Sequence, residues 1–225
     1  MSDDAFWSTM ALTFKLASVT TLILLLLGIP LAYYLSTSRS RIKPLVETVV
    51  SMPLVLPPTV LGFYLLVAFS PENAFGRFCE EVLGFRLVFS FWGLVLGSVI
   101  FSLPFMVHPV QSALQSLPAS LTEAAQMLGK SKTTTLFRVL LPNIKPSLLT
   151  GIVITFAHTV GEFGVVLMIG GNIPGETRVA SIAIYDEVEA LNYAAANHYA
   201  MVLFAVTFSI LLLVYLVNRS FLQKM

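Results

Sequence analysis

The chain has 225 residues and a net charge of +1; 56% of them are hydrophobic and only 11% are charged. Soluble domains carry roughly 25% charged residues, so this balance excludes an ordinary soluble domain and intrinsic disorder. The near-zero net charge offers no basic surface for nucleic acid, and the single cysteine, Cys79, excludes an intrachain disulfide or a cysteine metal site.

What remains is an all-α membrane protein read as one transmembrane domain, 1–225. Five stretches are nearly free of charge, at about 12–35, 48–69, 87–107, 147–171 and 199–218. Each approaches or exceeds the ~20 residues a helix needs to cross a bilayer. They are apolar all round rather than alternating, which excludes a β-barrel. The first is preceded by Asp3 and Asp4 rather than a basic segment, so it reads as a retained helix and not a cleaved signal. Pro30 is expected to kink it. The second carries Pro53, Pro57 and Pro58. Two readings fit: an irregular backbone facing the bundle interior or a pathway, or a helix that simply begins near Pro57. Pro104 and Pro109 are expected to bend or end the third. The fourth holds His158 and Glu162 and has room for a span plus a turn. Trp7, Tyr33, Tyr34, Tyr199 and Tyr215 sit near span ends, where interfacial aromatics or plain packing both place them.

The connecting segments alternate in sign. One set carries Arg39, Arg41, Lys43, Lys130, Lys132, Arg138, Lys145, Arg219 and Lys224 against Glu47 and Glu123. The other carries Asp3, Asp4, Glu72, Glu80, Glu81, Glu176, Asp186, Glu187 and Glu189 against Arg77, Arg86 and Arg178. The positive-inside rule then puts the N-terminus outside and the C-terminus in the cytoplasm.

The longest basic segment, 117–142, reads as two short helices. Ser120 and Glu123 have capping-box spacing, and Pro118 suits a first turn. Gly129 is a natural stop, Ser131 can cap the second helix, and Pro142 follows it. Leu121, Ala124, Ala125 and Leu128 share one helical face. Such a hairpin should dock into something.

Here the residues carry a resemblance. Glu123-Ala124-Ala125, Gly129 and Leu141-Pro142, with Val139 at a position usually held by Ile, resemble the EAA loop of ABC importer permeases. Six fixed identities in one register arise by chance at roughly one position in 10⁷. The stretch Met52 to Tyr64 is similar to the second core span of molybdate permeases. Phe156-Ala157-His158-Thr159-Val160-Gly161-Glu162-Phe163-Gly164, continued by Asn172 to Arg178, resembles a segment of molybdate and sulfate permeases. His158 departs from the Arg common there, which puts a fixed positive charge at this position in doubt. Together these segments cover nearly the whole chain.

The resemblance implies a five-span permease subunit of a molybdate-type importer in a prokaryotic inner membrane. It implies a second copy of the chain, two cytoplasmic ATPase subunits that bind ATP and Mg, and an external oxyanion-binding protein, with no cofactor in this chain. Gly129-Lys130-Ser131 mimics the end of a phosphate-binding loop, but Ala124 stands where that loop needs glycine. ATP hydrolysis is therefore expected of a partner and not of this chain. Coupling to the ATPase falls to Glu123, Ala124, Ala125, Gly129, Leu141 and Pro142. Pro57, Pro58, Gly161, Glu162 and Gly164 are candidates for the pathway or a dimer contact.

Glu162 is the only carboxylate within an apolar stretch. Its charge would repel an oxyanion, so it reads either as shaping the pathway through protein partners or as a structural hydrogen-bonded group. Thr20, Thr21, Ser98, Ser102, Thr150, Thr155 and Thr159 could offer hydroxyls to a tetrahedral anion, although membrane hydroxyls more often bond protein. His108 and His198 are too scattered for a metal site. Sulfate and tungstate are the alternative cargoes. An ion-gradient transporter would need inverted repeats and more intramembrane ionisable groups, which the sequence lacks. A scaffold without transport sits poorly with spans broken by proline.

Overall fold

The computed structural model describes residues 3–82 and 84–222, with only the backbone described for 217–222. Lys224 and the side chain of Arg219 lie outside the described residues. The elements in order are α1 (Asp3–Thr37), α2 (Lys43–Val55), α3 (Pro58–Phe69), α4 (Ala74–Glu81), α5 (Phe91–Ser116), α6 (Ala119–Met127) and α7 (Lys132–Thr135). A π-helical turn, Leu136–Leu140, leads into α8 (Leu141–Asn143), α9 (Lys145–Val160), α10 (Gly164–Gly170), α11 (Ala180–Glu189) and α12 (Tyr193–Leu222).

Three helices are each long and apolar enough to cross a membrane: α1, α5 and α12. Two further candidates are bent pairs. The α2–α3 pair turns by 116°, and the run Lys132–Asn143 turns by 85° into α9. α1 and α5 pack along each other, and α9 packs against both. The close approach has a cause at Gly28, where a methyl would stand 2.8 Å from Met106 Cγ. α3 lies on α10, and α12 packs mainly on α11 and α9, with its start also against Phe6 of α1.

Two apolar clusters mark opposite ends of the bundle. Leu35, Val50, Leu114, Leu140 and Ile144 join the C-terminal ends of α1 and α5 to α2 and to the segment before α9. Phe6, Met10, Ala183 and Tyr199 join the starts of α1 and α12 to α11. At that second end Ala180 N–H, at the start of α11, donates to Thr13 Oγ1 at 2.8 Å, and the Thr13 hydroxyl donates to Thr9 C=O.

Several expectations need correction. α5 runs through Pro104 and Pro109 to Ser116, so neither proline ends it. α6 starts at Ala119 with Pro118 at its cap and no side-chain cap bond; Ser120 lies inside the helix, so the Ser120–Glu123 capping box does not form. The helical path does not stop at Pro142 either. Proline removes a donor and crowds the preceding turn, and the wider π turn just before it absorbs both. Of the two placements open to Tyr199, packing is the one seen: it is 4% exposed and lies on Phe6. α4 and α11 had no counterpart in the sequence reading.

Candidate functional site

The break between α2 and α3 meets a further one, between α9 and α10. Leu56 and Pro57 are extended, with ψ of 136° and 134°, because a residue before proline is pushed out of the helical region. The second break covers Gly161, Glu162 and Phe163 and contains no proline. Gly161 ends α9 with its N–H on Ala157 C=O, and the Ser181 hydroxyl of α11 donates to Glu162 C=O. The two half-helices α3 and α10 then pack through glycines. A methyl at Gly164 would stand 2.7 Å from Pro58 Cβ and 3.2 Å from Thr59 N. One at Gly62 would stand 2.9 Å from Met168 Cβ.

At this meeting point lies a cleft of about 500 Å³, lined by Pro58, Thr59, Phe101, Ala157, His158, Gly161, Glu162, Phe163 and Gly164. Of the five sequence candidates for a pathway or contact, Pro58, Gly161, Glu162 and Gly164 line it, and Pro57 caps the helix beside it. Each reading of the second stretch is met in part: α3 begins at Pro58, as the second expected, but Pro53 lies inside α2 and the backbone is irregular at Leu56 and Pro57.

Glu162 is 3% exposed. Both carboxyl oxygens are shut off from solvent, and neither has a hydrogen-bond partner among the described residues. Ser98 of α5 lies by the carboxyl, and its hydroxyl does not reach hydrogen-bond geometry. The residue lines the cleft, yet its carboxyl is turned into the bundle, so it has no oxygen to offer a ligand there.

His158 faces the cleft differently. Its ring packs on α5, stacked on Phe105 at 4.0 Å between ring centres and tilted against Phe101 at 4.9 Å. Nδ1 is 3.0 Å from Ser102 Oγ, which is 3.1 Å from Thr159 Oγ1. Thr159 in turn donates to Thr155 C=O at 2.9 Å. Of the hydroxyls singled out in the sequence, Thr150 and Thr159 bond their own helix. Thr20, Thr21, Ser98 and Thr155 are buried without partners among the described residues, so none of these four faces the cleft. The Ser102–His158 pair spans 56 positions and was missed, as was Thr59.

The second candidate region protrudes. Ala125 is buried against the chain, while Met127 and Leu128 are 90% and 74% exposed. The expected single stripe is therefore split, with Ala125 facing inward. Glu123 and Ala124 are exposed. Gly129 takes φ +68° beyond α6, a conformation suited to glycine, and Ser131 Oγ caps α7 by accepting from Thr134 N–H at 3.2 Å.

With this geometry in view, residues 24–224 match the family model described as binding-protein-dependent transport system inner membrane component. The chain belongs to that family. It is 48% identical over 196 residues to the molybdenum transport system permease protein ModB of Azotobacter vinelandii, covering 86% of this chain and 87% of that one. It is 34% identical to the Escherichia coli K12 protein of the same name, over 83% of this chain and 81% of that one. A probable sulfate transport system permease protein of Zygnema circumcarinatum is 34% identical over the whole chain and 76% of its own length. Among solved structures, the MetNI methionine ABC transporter aligns with TM-score 0.74 at 19% identity, covering 98% of this chain and 99% of that one. A bacterial alginate ABC transporter aligns with TM-score 0.79 at 22% identity, covering 98% and 80%. The fold is that of an ABC importer permease, and the family makes the chain a multi-pass inner-membrane protein.

Proposed function

We propose that this chain is the membrane permease subunit of an ATP-driven, binding-protein-dependent importer of molybdate. The observation that carries the cargo is the 48% identity, over most of both chains, to a molybdenum permease. A sulfate permease at 34% keeps sulfate as the second reading, with tungstate, a close chemical analogue, alongside it.

The working unit is a homodimer. α2 and α3 leave Val49, Met52, Val55, Phe63 and Tyr64 exposed, apolar surface suited to a second copy. Each bent pair makes one crossing, giving five, with the basic segments in the cytoplasm and the N-terminus outside. Glu123, Ala124, Ala125 and Gly129 form the hairpin that seats on a separate ATPase, with Met127 and Leu128 as its apolar tip and Leu141 and Pro142 tying it to α9. ATP and Mg bind that partner. Nucleotide-driven movement of the hairpin reaches the cleft along α9, whose last turn carries His158. Glu162 shapes this site from behind and does not touch cargo. A periplasmic or extracellular binding protein delivers the anion.

The test is uptake into proteoliposomes holding the chain, its ATPase and its binding protein. ATP-dependent molybdate uptake, weakly competed by sulfate, is the expected result. Uptake without ATP overturns the machine; ATP-dependent uptake of sulfate alone keeps the machine and discards the cargo.

A further inference from the structure

The polar chain behind His158 contains enough contacts to place its protons. Thr159 has one hydroxyl hydrogen and spends it on Thr155 C=O. In the contact between Ser102 and Thr159, Ser102 must then be the donor. That uses the only hydroxyl hydrogen of Ser102, so in the 3.0 Å contact with His158 the hydrogen belongs to Nδ1. All three bonds can be made at once in this way alone. The neutral ring is therefore held with Nδ1 protonated and Nε2 as a bare lone pair. Phe105 stacks on the ring and Phe101 meets it at an angle, and the Nδ1–Ser102 bond fixes which edge faces α5. Nε2 has no partner among the described residues, and the ring lines the cleft.

A bare lone pair repels an oxyanion; a protonated Nε2 donates to one with a full charge behind it. We propose that His158 is a proton-dependent cargo contact, taking a proton on Nε2 as an oxyanion enters the cleft and returning it to water when the anion leaves. This rests on the function proposed above.

Among the described residues, no other ionisable side chain contacts the ring. Glu162 lines the cleft but turns its carboxyl toward Ser98. α3 and α10 contribute Pro58, Thr59 and Gly164. On α1, Lys15 lies over the Phe91 ring, 4.6 Å from its centre. On α5, His108 is engaged with Ser51. On α12, Tyr215 lines a separate groove with Thr150 and Ile154 of α9.

The first readout needs no transport. The chain has 3 histidines, so ¹⁵N-histidine spectra of the protein in nanodiscs can be assigned by loss of a signal in His158→Gln, or in His108→Gln and His198→Gln should the first fail to fold. The expected spectrum at neutral pH has one ring protonated on Nδ1 and bare on Nε2. Sodium molybdate or sulfate should convert it to the doubly protonated form at a pH where chloride does not. A ring protonated on Nε2 without anion overturns the proposal, and so does a ring that oxyanions leave unchanged.

The second readout is the assembled importer. At saturating loaded binding protein, kcat for uptake should fall as pH rises, approaching about tenfold per pH unit where the free ring is neutral. KM for the loaded binding protein should stay level. His158→Arg supplies a permanent donor and should flatten the kcat profile relative to wild type in the same mixture, which cancels the pH response of the partners. Equal slopes in wild type and His158→Arg overturn the proton role while leaving the transport reading intact. Absence of ATP-dependent uptake of any oxyanion overturns the transport reading, and the spectra still decide the ring.

Discussion

α1 and α5 on one side, and the α2–α3 and α9–α10 pairs on the other, are built from equally apolar sequence and end up unlike. α1 carries Pro30, and α5 carries Pro104 and Pro109, yet both run unbroken. α9–α10 carries no proline at its break and is broken all the same. Proline alone does not decide where a membrane helix stops. A lone proline frees one carbonyl, and its neighbours can satisfy it. At Pro57 and Pro58 two donors vanish in succession and the preceding backbone is forced extended. At Gly161 to Phe163 the break is held from outside, by Ser181 on the Glu162 carbonyl and by the seating of Gly164 on Pro58. The continuous helices form the frame, and the broken ones supply the cleft.

The largest effect should come from the contact that joins the two broken pairs. Gly164→Val puts carbon 2.7 Å from Pro58 Cβ and against the backbone of Thr59, where neither half-helix can yield without moving the cleft. Overpacking of this kind costs roughly 3 kcal/mol. A drop in the thermal unfolding midpoint and loss of uptake are the expected results. Wild-type uptake from Gly164→Val would mean that the half-helices slide freely and that the close approach has no role.

A smaller loss is expected at Glu162. Glu162→Gln keeps the shape and removes the possibility of charge. If the carboxyl positions the break, uptake should fall about tenfold with expression unchanged, since a buried polar group without partners is retained at a cost. Unchanged uptake would reduce it to a filler of the space beside Ser98.

Much of the frame was legible from sequence because long apolar runs are local signals. The two short helices around Gly129 were legible in outline for the same reason: Gly129 and Ser131 act on their own turns. The start of the first was misread because Pro118 takes the cap that Ser120 was expected to hold. The cleft was legible only in part. Pro57, Pro58, Glu162 and the flanking glycines stand out along the chain, but their convergence depends on α3 packing on α10. The Ser102–His158 bond lies 56 positions apart, and no periodicity announces it. α11 was missed because its apolar face, Ala180, Ile182 and Ala183, is short and buried only once α1 and α12 flank it.

The smallest effect should come from a proline of the frame. Pro109 sits within unbroken α5, beside a groove lined by Ser112, Ser116, Ser147 and Thr150. Pro109→Ala returns one N–H to the helix and removes a ring from that groove, two small changes of opposite sign. In a water-exposed helix interior the same replacement gains about 3 kcal/mol. Here the helix already exists on both sides, and its fit to α1 and α9 holds it. The expected shift in stability is below about 1 kcal/mol, with uptake within about twofold of wild type. A large gain in stability accompanied by loss of uptake would place a working bend at Pro109, and α5 would then belong with the moving parts and not with the frame.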